Sequence, residues 1–308
     1  MVIERLVRFS RLQHRPSARL PTMNRADVTF LSAGTPCAGW LYRPSGSSGD
    51  IPCVIMAHGF GLTRQDGLAG YAAALTQAGV AVLVYDHRHL GDSEGEPRQR
   101  IRTSEQLEDR LAAIAFARTL DGIDPNQIIL WGYSLSGGTA LEAAVADQHV
   151  AGAILLCPFL DGRWRTVHGL RTQPRNALWL MAQAMRDAVI PVAAAPGGRA
   201  GLTFPGELDG FLSVVAPGWR NEAHAGLALP LPRWRPVAQA RKFTCPVLIQ
   251  AGERDISVSA RAIARVAERA PRATLKNYDV DHFEPFCDGH SSQIIDDQLG
   301  WLRALSRA

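Results

Sequence analysis

Six short, nearly continuous apolar runs alternate with helical patterns along most of this chain. The runs are CVIMAH from Cys53, VAVLVYD from Val80, IILWG from Ile128, AGAILLCPF from Ala151, CPVLIQAG from Cys245 and ATLKNYD from Ala273. Runs that are apolar on both faces are typical of parallel strands, because helices cover such strands on both sides. The alternation therefore predicts an α/β fold with a mostly parallel, doubly wound sheet.

One segment, residues 162–236, breaks this alternation and is rich in Pro, Gly and Trp. We interpret it as a cap inserted over the strand ends, so that residues 24–161 and 237–308 form the core of the fold. Four tryptophans of the cap either pack it on the core or line a pocket. They are Trp164, Trp179, Trp219 and Trp234.

The net charge of +4 is concentrated near the N-terminus. Residues 1–23 are rich in Arg, contain one acidic residue and lack the continuous apolar core of a secretory signal. We expect either a disordered tail or translation begun upstream of a true start at Met23. The rest of the chain is close to neutral, which argues against nucleic-acid binding.

Hydropathy and cysteine usage indicate the cellular environment. No apolar run reaches the roughly 18 residues that a membrane span needs. The chain has five cysteines, and Cys53, Cys157 and Cys245 lie in apolar runs, where a thiol packs as a small hydrophobe. The odd number and the apolar setting predict a reducing cytoplasm without disulfides.

Residues that can carry chemistry follow four of the predicted strands. The segment HGFG begins at His58, and the turn GYSLSGG contains Ser134. Asp255 lies in ERDISVS and His282 in DHFEPF. Ligands of an open α/β sheet bind beyond the carboxyl ends of its strands, so we expect these residues to converge there.

The motifs together resemble the α/β-hydrolase superfamily over nearly the whole chain, because the superfamily carries Ser, Asp and His in this order at strand ends. DHRHLGDSEG from Asp86 is similar to its D-x-R-G-x-G-x-S turn, with His89 in place of a Gly. Ser136 stands where the serine turn most often has Gly. GDSEGEPRQ, DPNQIILWGYSLSGG and CPFLDG look like the dienelactone-hydrolase-like or Xaa-Pro-dipeptidyl-peptidase-like branch. That branch includes polyketide-pathway hydrolases and acyltransferases.

The resemblance implies a catalytic triad of Ser134, Asp255 and His282. A serine hydroxyl is a poor nucleophile at neutral pH, so His282 would accept its proton while Asp255 holds the imidazole in the required tautomer. The backbone N–H groups of Leu135 and Phe60 would form the oxyanion hole.

Two of these assignments have rivals in the sequence. Ser136 also has small residues on both sides, but Ser134 lies two residues beyond the run IILWG and Ser136 lies four. The shorter distance favours Ser134 at the turn. Asp161 in CPFLDG is the main rival of Asp255, since some hydrolases take the acid from the preceding strand end.

The pair His87 and His89 forms an H-x-H pattern that is also found in metal sites. No further His or Cys at ligand spacing accompanies the pair, so we predict a structural turn here. We predict that His58 fixes the oxyanion loop. Neither a metal nor a cofactor is expected.

These features predict a serine hydrolase that cleaves an ester or thioester of an apolar acyl group. A helical stripe of the cap, Leu178, Met181 and Met185, favours a small-molecule substrate with an apolar acyl group of medium chain length or an aromatic one. Three alternatives remain: an acyltransferase or C–C bond hydrolase of secondary metabolism, an Xaa-Pro-type peptidase, and a ligand-binding relative without catalytic activity. The oligomeric state is open as well, with a homodimer among the alternatives.

Overall fold

A computed structural model of the protein describes residues 24–46, 49–287 and 289–306, so the predicted tail 1–23 lies outside the described residues. The described chain contains ten strands: β1 (Asn24–Ser32), β2 (Thr35–Arg43), β3 (Ile51–Ala57), β4 (Ala81–Tyr85), β5 (Ile123–Tyr133), β6 (Gly152–Leu156), β7 (Val189–Ile190), β8 (Ala223–His224), β9 (Val247–Gly252) and β10 (Ala273–Tyr278). It also contains eight α-helices: α1 (Ala69–Gln77), α2 (Thr103–Ala117), α3 (Leu135–Ala146), α4 (Gly162–Thr172), α5 (Pro174–Ala184), α6 (Glu207–Val214), α7 (Ala260–Arg269) and α8 (Ser291–Leu305). Within these ranges no helix is both long and apolar enough to cross a membrane.

Eight of the strands form one sheet in the order β1-β2-β4-β3-β5-β6-β9-β10. The six apolar runs of the sequence form β3, β4, β5, β6, β9 and β10, and these strands pair in parallel. The strands β1 and β2 form an antiparallel hairpin at one edge. The sheet confirms the predicted α/β class with a mostly parallel, doubly wound sheet.

Both faces of the central strands are buried, which explains why their sequences are apolar without alternation. On β5, Leu130 packs into the cluster that contains Ile114 of α2, Leu141 of α3 and Ile263 of α7. Its neighbour Trp131 points to the other face and packs with α1 and α8. Successive strand residues point to opposite faces, so both must be apolar when helices cover both.

The cap segment 162–236 forms α4, α5 and α6, the two-stranded pair β7 and β8, and short 3₁₀ turns. Two of its four tryptophans, Trp219 and Trp234, anchor it to the core. Trp234 stacks on Phe159 of the core with ring centroids 5.8 Å apart, and its Nε1 donates to Glu142 (2.8 Å). Trp219 Nε1 donates to the carbonyl of Gly61 (2.8 Å). These contacts hold the cap against α3 and against the loops that follow β3 and β6.

Candidate active site

Ser134 lies in the tight turn between β5 and α3. Its backbone has φ 54° and ψ −121°, a conformation that costs a residue with a side chain about 1–3 kcal/mol. Gly132 permits the turn, because a Cβ on it would lie 2.3 Å from the carbonyl oxygen of Ser136. The turn therefore presents the Ser134 hydroxyl at the carboxyl end of a central strand.

The neighbouring Ser136 has a different environment. It is fully buried on the first turn of α3, and Arg110 of α2 donates a hydrogen bond to its Oγ. The same guanidinium donates to the carbonyl of Trp131 (3.1 Å). The Ser136 hydroxyl therefore lies behind the turn. Sequence reasoning missed Arg110, since an arginine inside an amphipathic helix is usually solvent-facing.

His282 and Asp255 reach Ser134 from the loops that follow β10 and β9. Nε2 of His282 lies 2.9 Å from Ser134 Oγ, and its Nδ1 lies 2.6 Å from Asp255 Oδ2. Both side chains are buried, with 7% of the histidine and 2% of the aspartate exposed. The other Asp255 oxygen accepts from the backbone N–H groups of Ser257 (2.8 Å) and Val258 (3.3 Å). The three predicted side chains thus form a continuous hydrogen-bonded chain.

Asp161, the rival acid, and Asp281, the neighbour of His282, hydrogen-bond elsewhere. Asp161 begins α4, where it accepts from two backbone N–H groups of that helix (3.1 and 3.2 Å) and pairs with Arg235 (3.2 Å). Asp281 accepts from the backbone N–H groups of Phe283 and Glu284, at 2.8 Å each. The geometry therefore favours Asp255 over Asp161 as the partner of His282.

The HGFG loop passes close to the serine turn. A Cβ on Gly59 would lie 2.9 Å from Ser134 Cβ, so only glycine allows this approach. His58 Nδ1 accepts from the Gly59 N–H (2.9 Å), and burial lowers the His58 pKa to about 3. The backbone N–H groups of Phe60 and Leu135 donate to no acceptor in the described part of the chain. They remain the candidate donors to an oxyanion beside Ser134.

Tyr133 packs against His282 and hydrogen-bonds to its backbone, a role that the sequence motifs did not indicate. Its hydroxyl donates to the His282 carbonyl (2.8 Å), and the two rings lie 4.9 Å apart. Tyr133 is buried, and burial raises its pKa well above the usual value. It therefore stays a neutral donor that fixes the His282 loop.

A cavity of about 230 Å³ opens above Ser134 and His282, between the core and the cap. Most of its lining is apolar: Phe60, Leu135, Phe159, Leu170, Ala177, Leu180, Met181, Ile190, Leu202, Phe204, Ala225, Leu227, Ala228 and Leu231. No tryptophan belongs to the described lining, and Trp219 and Trp234 contact the core instead.

The H-x-H pair is bound within the protein. His87 Nδ1 lies 3.2 Å from Asp109, and His89 Nε2 lies 2.9 Å from Arg100. His89 has φ 72°, which is the left-handed conformation that the usual glycine would adopt at this turn. These contacts favour the predicted structural turn.

One group of described side chains has metal-ligand spacing. Donor atoms of Cys157, Asp255 and His282 lie within 4.8 Å of one another. Burial raises the Cys157 pKa well above its usual value, and a protonated thiol is a poor ligand. His282 and Asp255 already hydrogen-bond to each other, so this group fits proton transfer better than metal binding.

A serine presented to a buried His–Asp pair at the carboxyl ends of a doubly wound sheet defines the site of a hydrolase. The family model described as the alpha/beta hydrolase family matches residues 54–297. The chain belongs to the α/β hydrolase family and is an enzyme of that class.

Two curated relatives extend this result. The chain is 34% identical over 291 residues to the quorum-quenching protein AidA of Acinetobacter baumannii, covering 91% of this chain and 94% of the relative. It is 35% identical over 175 residues to thiohydrolase aneE of Aspergillus aculeatus, covering 56% of this chain and 52% of the relative. The first match spans nearly both proteins, whereas the second covers about half of each.

A solved structure agrees with the fold. The crystal structure of the alpha/beta hydrolase GrgF from Penicillium sp. sh18 superposes with a TM-score of 0.78 at 24% identity. The match covers 91% of this chain and 98% of that structure. The fold is therefore shared over nearly the whole of GrgF.

His58 makes a testable contribution to the pH dependence of stability. Its folded pKa of about 3 lies below the unfolded value of about 6.5, so below pH 6.5 the unfolded chain binds more protons and stability falls. Between about pH 7.5 and 5 this group should remove about 2 kcal/mol of unfolding free energy. Urea unfolding at both pH values should show a correspondingly shallower loss in His58→Asn, in which the amide oxygen still accepts from Gly59. Equal losses in both proteins would contradict the assignment.

Proposed function

We propose that this enzyme transfers the acyl group of an ester or thioester to water through an acyl-enzyme on Ser134. The observation that carries the proposal is the chain from Ser134 through His282 to Asp255 beside a largely apolar cavity. A hydroxyl is activated when an aligned base takes its proton, and a carboxylate on the far imidazole nitrogen keeps the base in the right tautomer.

In the first half-reaction, His282 Nε2 takes the Ser134 proton as Oγ attacks the acyl carbonyl carbon. The π electrons of the carbonyl move onto its oxygen, and the N–H groups of Leu135 and Phe60 donate to the resulting oxyanion. Collapse re-forms the carbonyl and breaks the bond to the alcohol or thiol, which takes the proton from His282. The Nδ1–H bond to Asp255 stabilises the imidazolium between these steps.

In the second half-reaction, His282 removes a proton from water as the water oxygen attacks the acyl-enzyme. Collapse of the second tetrahedral intermediate releases the carboxylic acid and returns the proton to Ser134 Oγ. An alcohol that enters in place of water would give a new ester by the same steps. Transfer to an alcohol is therefore an outcome that product analysis distinguishes.

The cavity supports an acyl substrate over a dipeptide. Selection of an N-terminal dipeptide needs a free carboxylate to hold the substrate amine, and no Asp or Glu belongs to the described lining. Glu207 lies beside the lining, but its carboxylate already contacts Arg165 and Ser257. The name of the relative thiohydrolase aneE supports a thioester among the substrates.

We also propose a reducing, cytoplasmic setting for the enzyme. Cys37, Cys53, Cys157 and Cys245 are buried and form no disulfide. Burial raises the pKa of Cys53 to about 12, so this thiol stays protonated and inert. A chain that keeps these four buried thiols out of disulfides is typical of a compartment that maintains thiols reduced.

The nucleophile is tested by a matched pair of serine variants. Ser134→Ala should lower kcat by about a millionfold, because the three groups act as a unit. Ser136→Ala should retain most of the turnover but lower the melting temperature, since Arg110 loses its hydroxyl acceptor. Hydrolysis of p-nitrophenyl butyrate and peptide mapping of a fluorophosphonate adduct measure both. An adduct on Ser136 would contradict the assignment.

The acid is tested by a matched pair of aspartate variants. Asp255→Asn should lower kcat by about 10⁴, because an amide at this position favours the wrong imidazole tautomer. Asp161→Asn should leave kcat near the wild-type value, because asparagine also caps a helix well. Steady-state kinetics of the two purified variants provide the comparison, and the reverse ranking would reassign the acid.

The substrate class is tested with a panel of p-nitrophenyl esters and N-acetylcysteamine thioesters from acetyl to decanoyl. kcat/KM should rise about fourfold per added methylene until the cavity is filled, since each buried methylene contributes about 0.8 kcal/mol. Xaa-Pro p-nitroanilides serve as the peptidase control and should be poor substrates. Efficient dipeptide release, with no effect of acyl length on the esters, would overturn the proposed function.

A further inference from the structure

The cavity has a small polar side opposite its apolar lining. Six polar side chains other than those of Ser134 and His282 belong to this lining: Arg165, Thr166, Gln173, Asn176, His224 and Ser257. Five of them already bond to other residues of the protein: Thr166 to Gly162, Gln173 to Thr203, Asn176 to Ala200, His224 to Asp187 and Ser257 to Glu207. The sixth, Arg165, pairs with Glu207 but has one further N–H group without a hydrogen-bond partner among the described residues.

Arg165 extends from α4 and is held on two sides. Its Nη2 lies 3.3 and 3.4 Å from the two carboxylate oxygens of Glu207. Its guanidinium carbon lies 4.1 Å from the ring centroid of Phe204. Its Nη1 is buried and has no hydrogen-bond partner among residues 24–46, 49–287 and 289–306. The side chain is thus rigidly placed with one unused donor group.

The anchor of Arg165 is connected to the catalytic loop. Glu207 is 1% exposed and accepts from the Phe204 N–H (2.7 Å) and from Ser257 Oγ (2.9 Å). The Ser257 N–H in turn donates to Asp255 (2.8 Å). These contacts connect the carboxylate that holds Arg165 to the loop that carries Asp255.

We propose that Arg165 determines substrate specificity by donating from its guanidinium, whose Nη1 is unpaired among the described residues, to an uncharged oxygen on the acyl chain, such as a ketone or an amide carbonyl. This inference rests on the proposed function and names the class of acyl group that it acts on. A donor that a simple alkyl chain leaves unpaired favours a chain that carries an acceptor.

The contact with Glu207 explains why the acceptor is uncharged. The carboxylate compensates the positive charge of Arg165 at a distance of 3.3 Å. A second carboxylate, brought in by the substrate, would lose its hydration and face Glu207 as a like charge. A carbonyl oxygen accepts the same hydrogen bond without either penalty.

The test compares p-nitrophenyl octanoate with its 5-oxo, 6-oxo and 7-oxo derivatives and with the monoester of suberic acid, which ends in a carboxylate. For at least one of the three ketones, the wild-type kcat/KM should exceed the value for octanoate by about tenfold, since hydrogen bonds from charged donors are among the stronger ones. The suberate monoester should be poorer than octanoate. Ratios near one for all three ketones would overturn the proposal.

Three variants separate recognition from cap stability. The double variant R165M/E207Q removes the donor without leaving a buried charge, and its ketone preference should fall to about one. Glu207→Gln keeps the donor and frees its charge, so the ketone preference should persist and the suberate monoester should become a better substrate than octanoate. Arg163→Met, an exposed position on the same helix, should change neither ratio. An unchanged ketone preference in the double variant would also overturn the proposal.

The two proposals fail in different ways. If Ser134→Ala hydrolyses octanoate as fast as the wild type, the proposed function fails. Thermal shift of Ser134→Ala with ether analogues of the same compounds, which cannot be hydrolysed, still tests Arg165, because it measures binding without turnover. An equal rise in melting temperature for the octanoate analogue and every ketone analogue would refute the role of Arg165 alone. So would a larger rise for the ketone analogues that persists when R165M/E207Q is added to Ser134→Ala.

Discussion

The backbone of Ser134 is the constraint on which the site depends. A side chain at φ 54° and ψ −121° is unfavourable, and the turn persists because tightly packed groups surround it. The carbonyl of Ser134 accepts from the N–H groups of Gly137 (2.9 Å) and Phe159 (2.8 Å), and its own N–H donates to Leu156 (3.0 Å). Adjacent strands and the start of α3 thus hold the turn from three directions.

This rigidity matters because the histidine and aspartate come from other loops. His282 lies within hydrogen-bond distance of Ser134 only if the loops after β9 and β10 have fixed positions relative to β5. Tyr133, next to Ser134, provides one such link through the His282 carbonyl, and Gln250 provides another through Tyr278 (2.7 Å). The buried hydrogen bonds between neighbouring strands therefore set the geometry that acyl transfer requires.

Much of the core could be predicted from the sequence, because burial on two faces leaves a direct record in apolar runs. The hairpin β1–β2 was not among those runs, since it lies at the sheet edge and exposes residues such as Asp27 and Thr29. The bounds of the cap could be predicted from the sequence, but its secondary structure could not. Its strands β7 and β8 have two residues each, and such short elements are determined by tertiary packing and not by local sequence.

The candidate site divides in the same way. Ser134, Asp255 and His282 could be identified because each follows a strand in a recognisable order. Arg165 and Glu207 could not, because their pairing joins two cap helices and depends on how the cap folds. The pocket chemistry of such an enzyme is therefore far less visible in its sequence than its catalytic chemistry.

Arg110 offers a physical reason for the unusual serine at position 136. Its guanidinium is completely buried behind the turn, burial lowers its pKa, and no described carboxylate hydrogen-bonds to it. Its described partners are the Trp131 carbonyl and the Ser136 carbonyl and hydroxyl oxygens. A glycine at 136 would remove the hydroxyl acceptor and leave a buried cation with backbone oxygens alone, which is costly. Ser136 and Arg110 therefore stabilise each other, and together they fill the space behind the turn that contains Ser134.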